Sequence, residues 1–177
     1  MKKMQKNEGF TLIELLIVVA IIGIIAAIAV PGLLPARMSG NETSAIGSLR
    51  AINTAQAGYS SAAGLGNYAT SLTILGDACP NSTQAFISPD MDPSLPTNIA
   101  FGVAGVQKSG YGVDMVAGPG AAAGALDCNG VATIGDYLAT AVPITLGSTG
   151  NRGFNTNGAG TIFFDPNGTA TGTLPIQ

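Results

Sequence analysis

A single carboxylate, Glu14, stands inside an otherwise apolar run that reaches from Phe10 to Val30 and stops at Pro31. Apart from Glu14, residues 12–30 match the ~20 residues that a helix needs to span a bilayer. A charged side chain at that depth costs roughly 2.5–3.5 kcal/mol on insertion scales, so it needs a partner. The chain offers one within a helical turn. A cut after Gly9 makes Phe10 the first residue, and its α-amino group is cationic at neutral pH. Glu14 then lies one turn along the helix from Phe10, where this amine or that of a second copy neutralises it.

Two simpler readings explain less. Lys2, Lys3 and Lys6, an apolar stretch and Ala27-Ile28-Ala29 are similar to an ordinary secretory signal with its cleavage site. That reading gives Glu14 no role. A plain membrane anchor leaves Gly9-Phe10 and Glu14 equally unexplained.

Lys2-Lys3, Glu8-Gly9, Phe10-Thr11-Leu12-Ile13-Glu14, Gly23 and Pro31 together resemble the N-terminus of type IV prepilins and type II secretion pseudopilins. The resemblance is strong over residues 1–35, weaker to Tyr59 and faint beyond. It implies a leader, residues 1–9, removed by a prepilin peptidase between Gly9 and Phe10, with methylation of the new Phe10 amine. It also implies assembly of identical subunits into a helical filament, with Glu14 paired to a neighbour's Phe10 amine. The stretch between Gly23 and Pro31 is then able to lose helical structure on assembly. Pro31 matches the family's usual proline, whereas Pro35 departs from the pattern and puts a straight helix over residues 31–40 in doubt.

The implied fold is α+β: a long N-terminal helix, apolar then amphipathic, carrying a C-terminal antiparallel β-sheet head. The implied function is that of a structural pilin of a type IV pilus. One alternative is a pseudopilin of a type II secretion system; another is a membrane-anchored binding domain that never polymerises. The implied partners are further copies of the chain, the prepilin peptidase, the pilus assembly machinery and, before assembly, the inner membrane. The implied location is the bacterial inner membrane and then the cell surface, or the periplasm for a pseudopilin. Major or minor rank, and roles in adhesion, motility, DNA uptake or conduction, are not distinguished.

Composition agrees with an extracytoplasmic chain. Lysines on the N-terminal side place that end in the cytoplasm and the remainder outside. The leader holds Lys2, Lys3, Lys6 and Glu8, so its removal leaves 4 basic and 9 acidic side chains, a net of −5. Only Arg37, Arg50, Lys108 and Arg152 remain as cations, which provides no basic patch and no expectation of nucleic-acid binding. Cys79 and Cys128 form an even pair on the oxidising side of the membrane, which favours a disulfide over two free thiols. Closing a loop of about 50 residues is worth ~4 kcal/mol in the chain-entropy model.

No enzyme is expected. The sequence contains no histidine, which removes Ser-His-Asp and Cys-His systems. Two cysteines without histidine are too few soft ligands for a zinc site, and no cofactor is expected. Asp90 and Asp92, beside Pro89 and Pro93, read as a solvated turn rather than an acid/base pair. Asp165-Pro166-Asn167-Gly168 lacks the ligand count of a calcium loop and reads as a turn. Gly147-Ser148-Thr149-Gly150 lacks the lysine and spacing of a phosphate loop.

Four segments follow: the leader 1–9, an apolar transmembrane and assembly helix 10–30, an amphipathic helix 31–62, and a β-rich head 63–177. Ala45, Leu49, Ile52, Gln56 and Tyr59 recur at helical spacing, bordered by Ile46 and Asn53, and predict one buried face. Arg37, Asn41 and Ser48 fall mostly off that face. Gly64, Gly66 and Asn67 end the helix. Strands are expected at 99–103, 111–116, 137–144 and 161–164. Residues 152–161 resemble the strand–turn–strand ending of some short pilin-like chains, and 119–124 reads as a loop. Asn41, Asn81 and Asn167 each begin a glycosylation sequon.

Overall fold

The computed structural model describes residues 9–80, 82–94 and 105–176. The leader residues 1–8, the strand expected at 99–103 and Asn81 lie outside them. The chain divides into two compact units, Met1–Ala36 and Arg37–Gln177. Helix α1 (Leu12–Ala62) runs through Pro31 and Pro35 and belongs to both.

Within the second unit, the predicted stripe is the foundation of the core. Ala45, Leu49, Ile52, Gln56 and Tyr59 are all buried. Six strands form one antiparallel sheet in the order β1-β2-β5-β6-β7-β8. They are β1 (Val106–Lys108), β2 (Tyr111–Ala117), β5 (Tyr137–Pro143), β6 (Gly153–Asn157), β7 (Ile162–Asp165) and β8 (Leu174–Pro175). A second, two-stranded sheet pairs β3 (Ala123–Leu126) with β4 (Ala132–Ile134). The described residues of the unit also include the short α2 (Leu72–Gly76) and a 3-10 turn at Pro89–Met91. This is the α+β arrangement expected, a long N-terminal helix followed by an antiparallel sheet.

Alternation decides which side of the sheet is buried. Tyr111, Val113 and Met115 on β2, Tyr137, Ala139 and Ala141 on β5, and Phe154 on β6 join the helix stripe in one core. The register aligns Met115 with Ala139, Ala139 with Thr156, and Ala141 with Phe154. Alanine at the two middle positions of β5 leaves space for the larger side chains of α1 in the same core. The helix ends at its glycines, where Gly66 takes φ 91°. Gln56 then acts as a piece of backbone. Its amide donates to the Ala69 carbonyl and accepts from the Ala69 N–H, each at 2.9 Å, which ties the post-helix loop to α1.

An ion pair between buried Glu42 and exposed Arg152 joins α1 to the start of β6. Arg152 donates through Nε and Nη2 to Glu42 Oε2 at 2.8 and 2.6 Å. Glu42 Oε1 accepts the backbone N–H groups of Asn151 and Arg152. The guanidinium also lies 5.7 and 5.6 Å from the ring centres of Phe154 and Phe164. Burial pushes the Glu42 carboxyl up, but Arg152 and the two N–H groups outweigh it and hold the group below its ordinary value of 4.5.

Several expectations are corrected. Ser48 is buried and satisfies its hydroxyl on the Ser44 carbonyl, while Asn41 is half-buried and donates to the Thr149 carbonyl. Both contribute to the face turned toward the head, because a polar group that is hydrogen-bonded can be buried. Asp90 and Asp92 do not share a solvated turn. Asp90 is exposed and paired with Lys108, whereas Asp92 is buried and accepts from Ser94. The expected loop at 119–124 ends in strand β3 from Ala123 onward.

Two outcomes test this packing. Ala139→Leu should overfill the space between helix and sheet and cost about 1–3 kcal/mol, read as a lowered thermal midpoint. Glu42 has a lower pKa folded than unfolded, so its contribution is complete above 4.5 and lost as pH falls through the depressed native value. Glu42→Gln should destabilise the head by about 2 kcal/mol at neutral pH. The gap from the parent chain should narrow as pH drops below 4.5.

Candidate functional site

The chain enters α1 through a reciprocal cap. Residues 9–11 are not helical, and the first turn starts at Leu12. Thr11 is the residue before the helix. Its backbone N–H and its hydroxyl both donate to Glu14 Oε2, at 2.9 and 2.5 Å. The Glu14 N–H returns a longer bond of 3.3 Å to the Thr11 hydroxyl. A threonine followed three residues later by glutamate is the capping-box pattern, which satisfies helix-end donors that would otherwise lack partners. The pattern is legible in Phe10-Thr11-Leu12-Ile13-Glu14, and it gives Glu14 a partner in its own chain besides the amine of Phe10.

Beyond the cap, the first unit presents an apolar surface without a counterpart. Leu12 is 80 % exposed and Ile28 is 78 % exposed. Ile13, Leu16, Val19, Ile22 and Ile25 between them are also open. Such a contiguous patch on a soluble monomer is uncommon and marks a lipid or protein contact. Gly23 lies within it, and a Cβ placed there would meet nothing within 4 Å. Gly9 and Phe10 are exposed just before the cap, and Pro31 lies within α1. The structure thus groups Gly9, Phe10 and Glu14 within a few residues of the helix start; Gly23 and Pro31 fall farther along. Among the described residues no single helix is long and apolar enough to cross a membrane. The stretches Leu12–Ile28 and Gly32–Ala62 pass that test as a pair.

The head carries a covalent tie. Cys79 and Cys128 are bonded, with their Cα atoms 5.6 Å apart. Next to Cys128, Asp127 accepts the Tyr59 hydroxyl at 2.7 Å. Tyr59 also packs edge-on against Phe86, with ring centres 5.3 Å apart. The end of α1 is therefore held by both sides of the disulfide-closed loop. Among the described residues no group of three or more His, Cys, Asp or Glu side chains could hold a metal. The Asp165 carboxylate is occupied within its own turn by the Asn167 N–H and the Thr169 hydroxyl. The Asn41 amide is likewise engaged, by Thr149.

The chain matches the prokaryotic N-terminal methylation motif over residues 4–30. That match lies in the N-terminal segment alone. Curated relatives agree with that motif. The chain is 50% identical over 54 residues to the type IV major pilin protein PilA of Myxococcus xanthus, covering 30% of this chain and 24% of the relative. It is 60% identical over 40 residues to the type IV wide pilus major component PilA4 of Thermus thermophilus, covering 23% and 30%. It is 42% identical over 55 residues to the type II secretion system core protein G of Vibrio cholerae, covering 31% and 38%. The chain thus spans well under half the length of these curated relatives. No solved structure matches it significantly.

Reduction offers a check on the head. Cys79→Ser with Cys128→Ser should lower head stability by ~4 kcal/mol, read by denaturant titration. The parent chain should drop to the same level when fully reduced.

Proposed function

We propose that the chain is a structural pilin subunit of a type IV pilus. One observation carries the reading: an exposed apolar helix face lies within the matched methylation motif and holds Glu14 as the single acid between Leu12 and Ile28. On this reading, residues 1–9 are the leader, 10–30 the membrane and assembly helix, 31–62 the amphipathic helix, and 63–177 the head. The prepilin waits in the inner membrane with the head outside. A prepilin peptidase cuts between Gly9 and Phe10 and methylates the Phe10 amine. Gly9 has no side chain to obstruct a protease that must grip the backbone.

Assembly then exchanges lipid for protein around the apolar face. Packing of many such faces supplies the cohesion of the filament. Glu14 supplies selectivity. A buried, unpaired carboxylate is expensive, whereas one matched to a neighbour's Phe10 amine is much cheaper, so subunits settle where the two groups meet. The expected end state is a homopolymer on the cell surface. Similarity to a type IV major pilin and to a type IV wide pilus major component favours this reading, and a structural role leaves catalysis without a place in it. A pseudopilus in the periplasm is the second reading, favoured by the similarity to protein G of a secretion system.

N-terminal sequencing and intact mass of protein sheared from the cell surface test the whole reading. A chain that starts at Phe10 and is heavier by one methyl group is expected. A chain that starts at Val30 would overturn it in favour of a secretory signal. Glu14→Ala should still be cut but should yield at least tenfold fewer filaments, about the change expected when a buried charge loses its match.

A further inference from the structure

We infer that Asn129 and Asn167 are sites of spontaneous amide loss in the head, and that Asp136 shields the third Asn-Gly step, Asn157-Gly158, from the same reaction. The inference does not depend on assembly into a filament. Asparagine before glycine is open to this chemistry because glycine leaves the next N–H unobstructed and the backbone free to turn. The chain has three such steps, at Asn129, Asn157 and Asn167. The first and last sit in turns built alike. In Asp127-Cys128-Asn129-Gly130 the Asn129 N–H donates to Asp127 Oδ1 at 2.9 Å, and the Gly130 N–H donates to the Asp127 carbonyl at 3.1 Å. In Asp165-Pro166-Asn167-Gly168 the equivalent bonds are 2.9 and 3.2 Å. Both asparagines are exposed, and both glycines take φ 76°.

The reaction needs the glycine nitrogen to reach the asparagine Cγ. That nitrogen gives up its proton and bonds to Cγ, the Cγ–Nδ2 bond breaks, and the amide leaves as ammonia. Water then opens the cyclic imide at either carbonyl and leaves aspartate or isoaspartate. At Asn129 and Asn167 the approach breaks one bond to a neutral carbonyl, in an exposed turn. At Asn157 it breaks more. The Gly158 N–H donates to the Asp136 carboxylate at 2.8 Å, and charge-assisted bonds are roughly twice as strong as neutral ones. The carboxylate also disfavours the nitrogen anion that attacks. Asn157 itself belongs to β6, where it pairs with Leu138, and its Oδ1 accepts the Ala159 N–H at 3.1 Å. Turning it toward Gly158 pulls it out of the ladder. The product matters most at Asn129, whose amide donates to the Ala78 carbonyl at 3.3 Å, alongside the Cys79–Cys128 bond. A carboxylate has no proton to donate there. Each conversion therefore adds a negative charge, and the one at Asn129 also removes a tie between the two ends of the disulfide-closed loop.

Peptide mapping by mass tests this on the full-length chain, held folded in mildly alkaline buffer and, in parallel, reduced and unfolded in guanidinium. Labelling by an isoaspartyl methyltransferase separates the two products. In the unfolded chain all three asparagines should convert at similar rates. In the folded chain Asn157 should lag Asn129 and Asn167 by at least about tenfold, the ratio expected when a charge-assisted bond must first break. Asp136→Ala should remove most of that lag and leave the other two rates unchanged. Asp136→Asn, which keeps an acceptor but not the charge, should remove part of it, and it serves if the alanine variant fails to fold. Equal rates at the three positions in the folded parent, whether fast or slow, overturn the inference. An undiminished lag in a folded Asp136 variant overturns the role of that carboxylate.

Discussion

The stripe from Ala45 to Tyr59 sets what the rest of the head can be. Leu49 and Ile52 have no solvent contact because a sheet lies across them, and that sheet has a matching face of Val113, Met115, Ala139, Ala141 and Phe154. Neither surface is stable in water alone, and each is the other's cover. Side-chain size then fixes the geometry. Bulky residues stand on the helix and on β2 and β6, and alanines stand on β5 between them. A sheet with leucine in those two places would hold the helix farther off. The core would then lose the close contacts on which its density depends.

Apolar packing is non-directional, so the polar ties decide register. Glu42 binds the turn before β6 through four donor contacts, two of them from the backbone. Gln56 copies the hydrogen-bonding of a strand to hold Ala69. Tyr59 reaches Asp127 beside the disulfide. These ties fall on successive parts of α1 and fasten a different loop each. Sliding the helix by one turn would preserve much of the greasy contact but break all three. The attraction within Glu42–Arg152 is weak as a source of net stability, because desolvation of the buried carboxylate offsets it. Its value here is to make the alternatives worse.

What could be read in advance follows from the range of each interaction. The helix stripe repeats every three to four residues, so all five of its members were visible and all are buried. Alternation made β5 visible for the same reason, and β2 and β7 stood out as short strand-like runs bounded by turn residues. The strands missed are β1, β3, β4 and β8, of two to four residues each and too short to show a period. Ser48, Asn41 and Asp92 were misplaced because polarity was taken as exposure. Each is hydrogen-bonded instead, Ser48 and Asp92 to groups within four positions and Asn41 to a carbonyl 108 positions away. Glu42 and Arg152 are separated by 110 positions and share no motif. Thr11 is different. Its pattern was local and readable, and it was passed over because the carboxylate three residues on had already been given one role.

Glu14 and Glu42 show how one residue type serves two ends on a single helix. Glu42 is met by groups that arrive only when the head folds, and most of its surface is then closed. Such a contact forms once and is kept, as a permanent fastening requires. Glu14 is met by its own neighbour in sequence, on an exposed first turn. A local bond of this kind forms without the rest of the fold. In the proposed filament Glu14 also meets a cation on another copy. The distinction lies less in the strength of either contact than in where its donors come from. Long-range donors commit the carboxylate to the folded head, and short-range donors cap the helix start whether or not the head has folded.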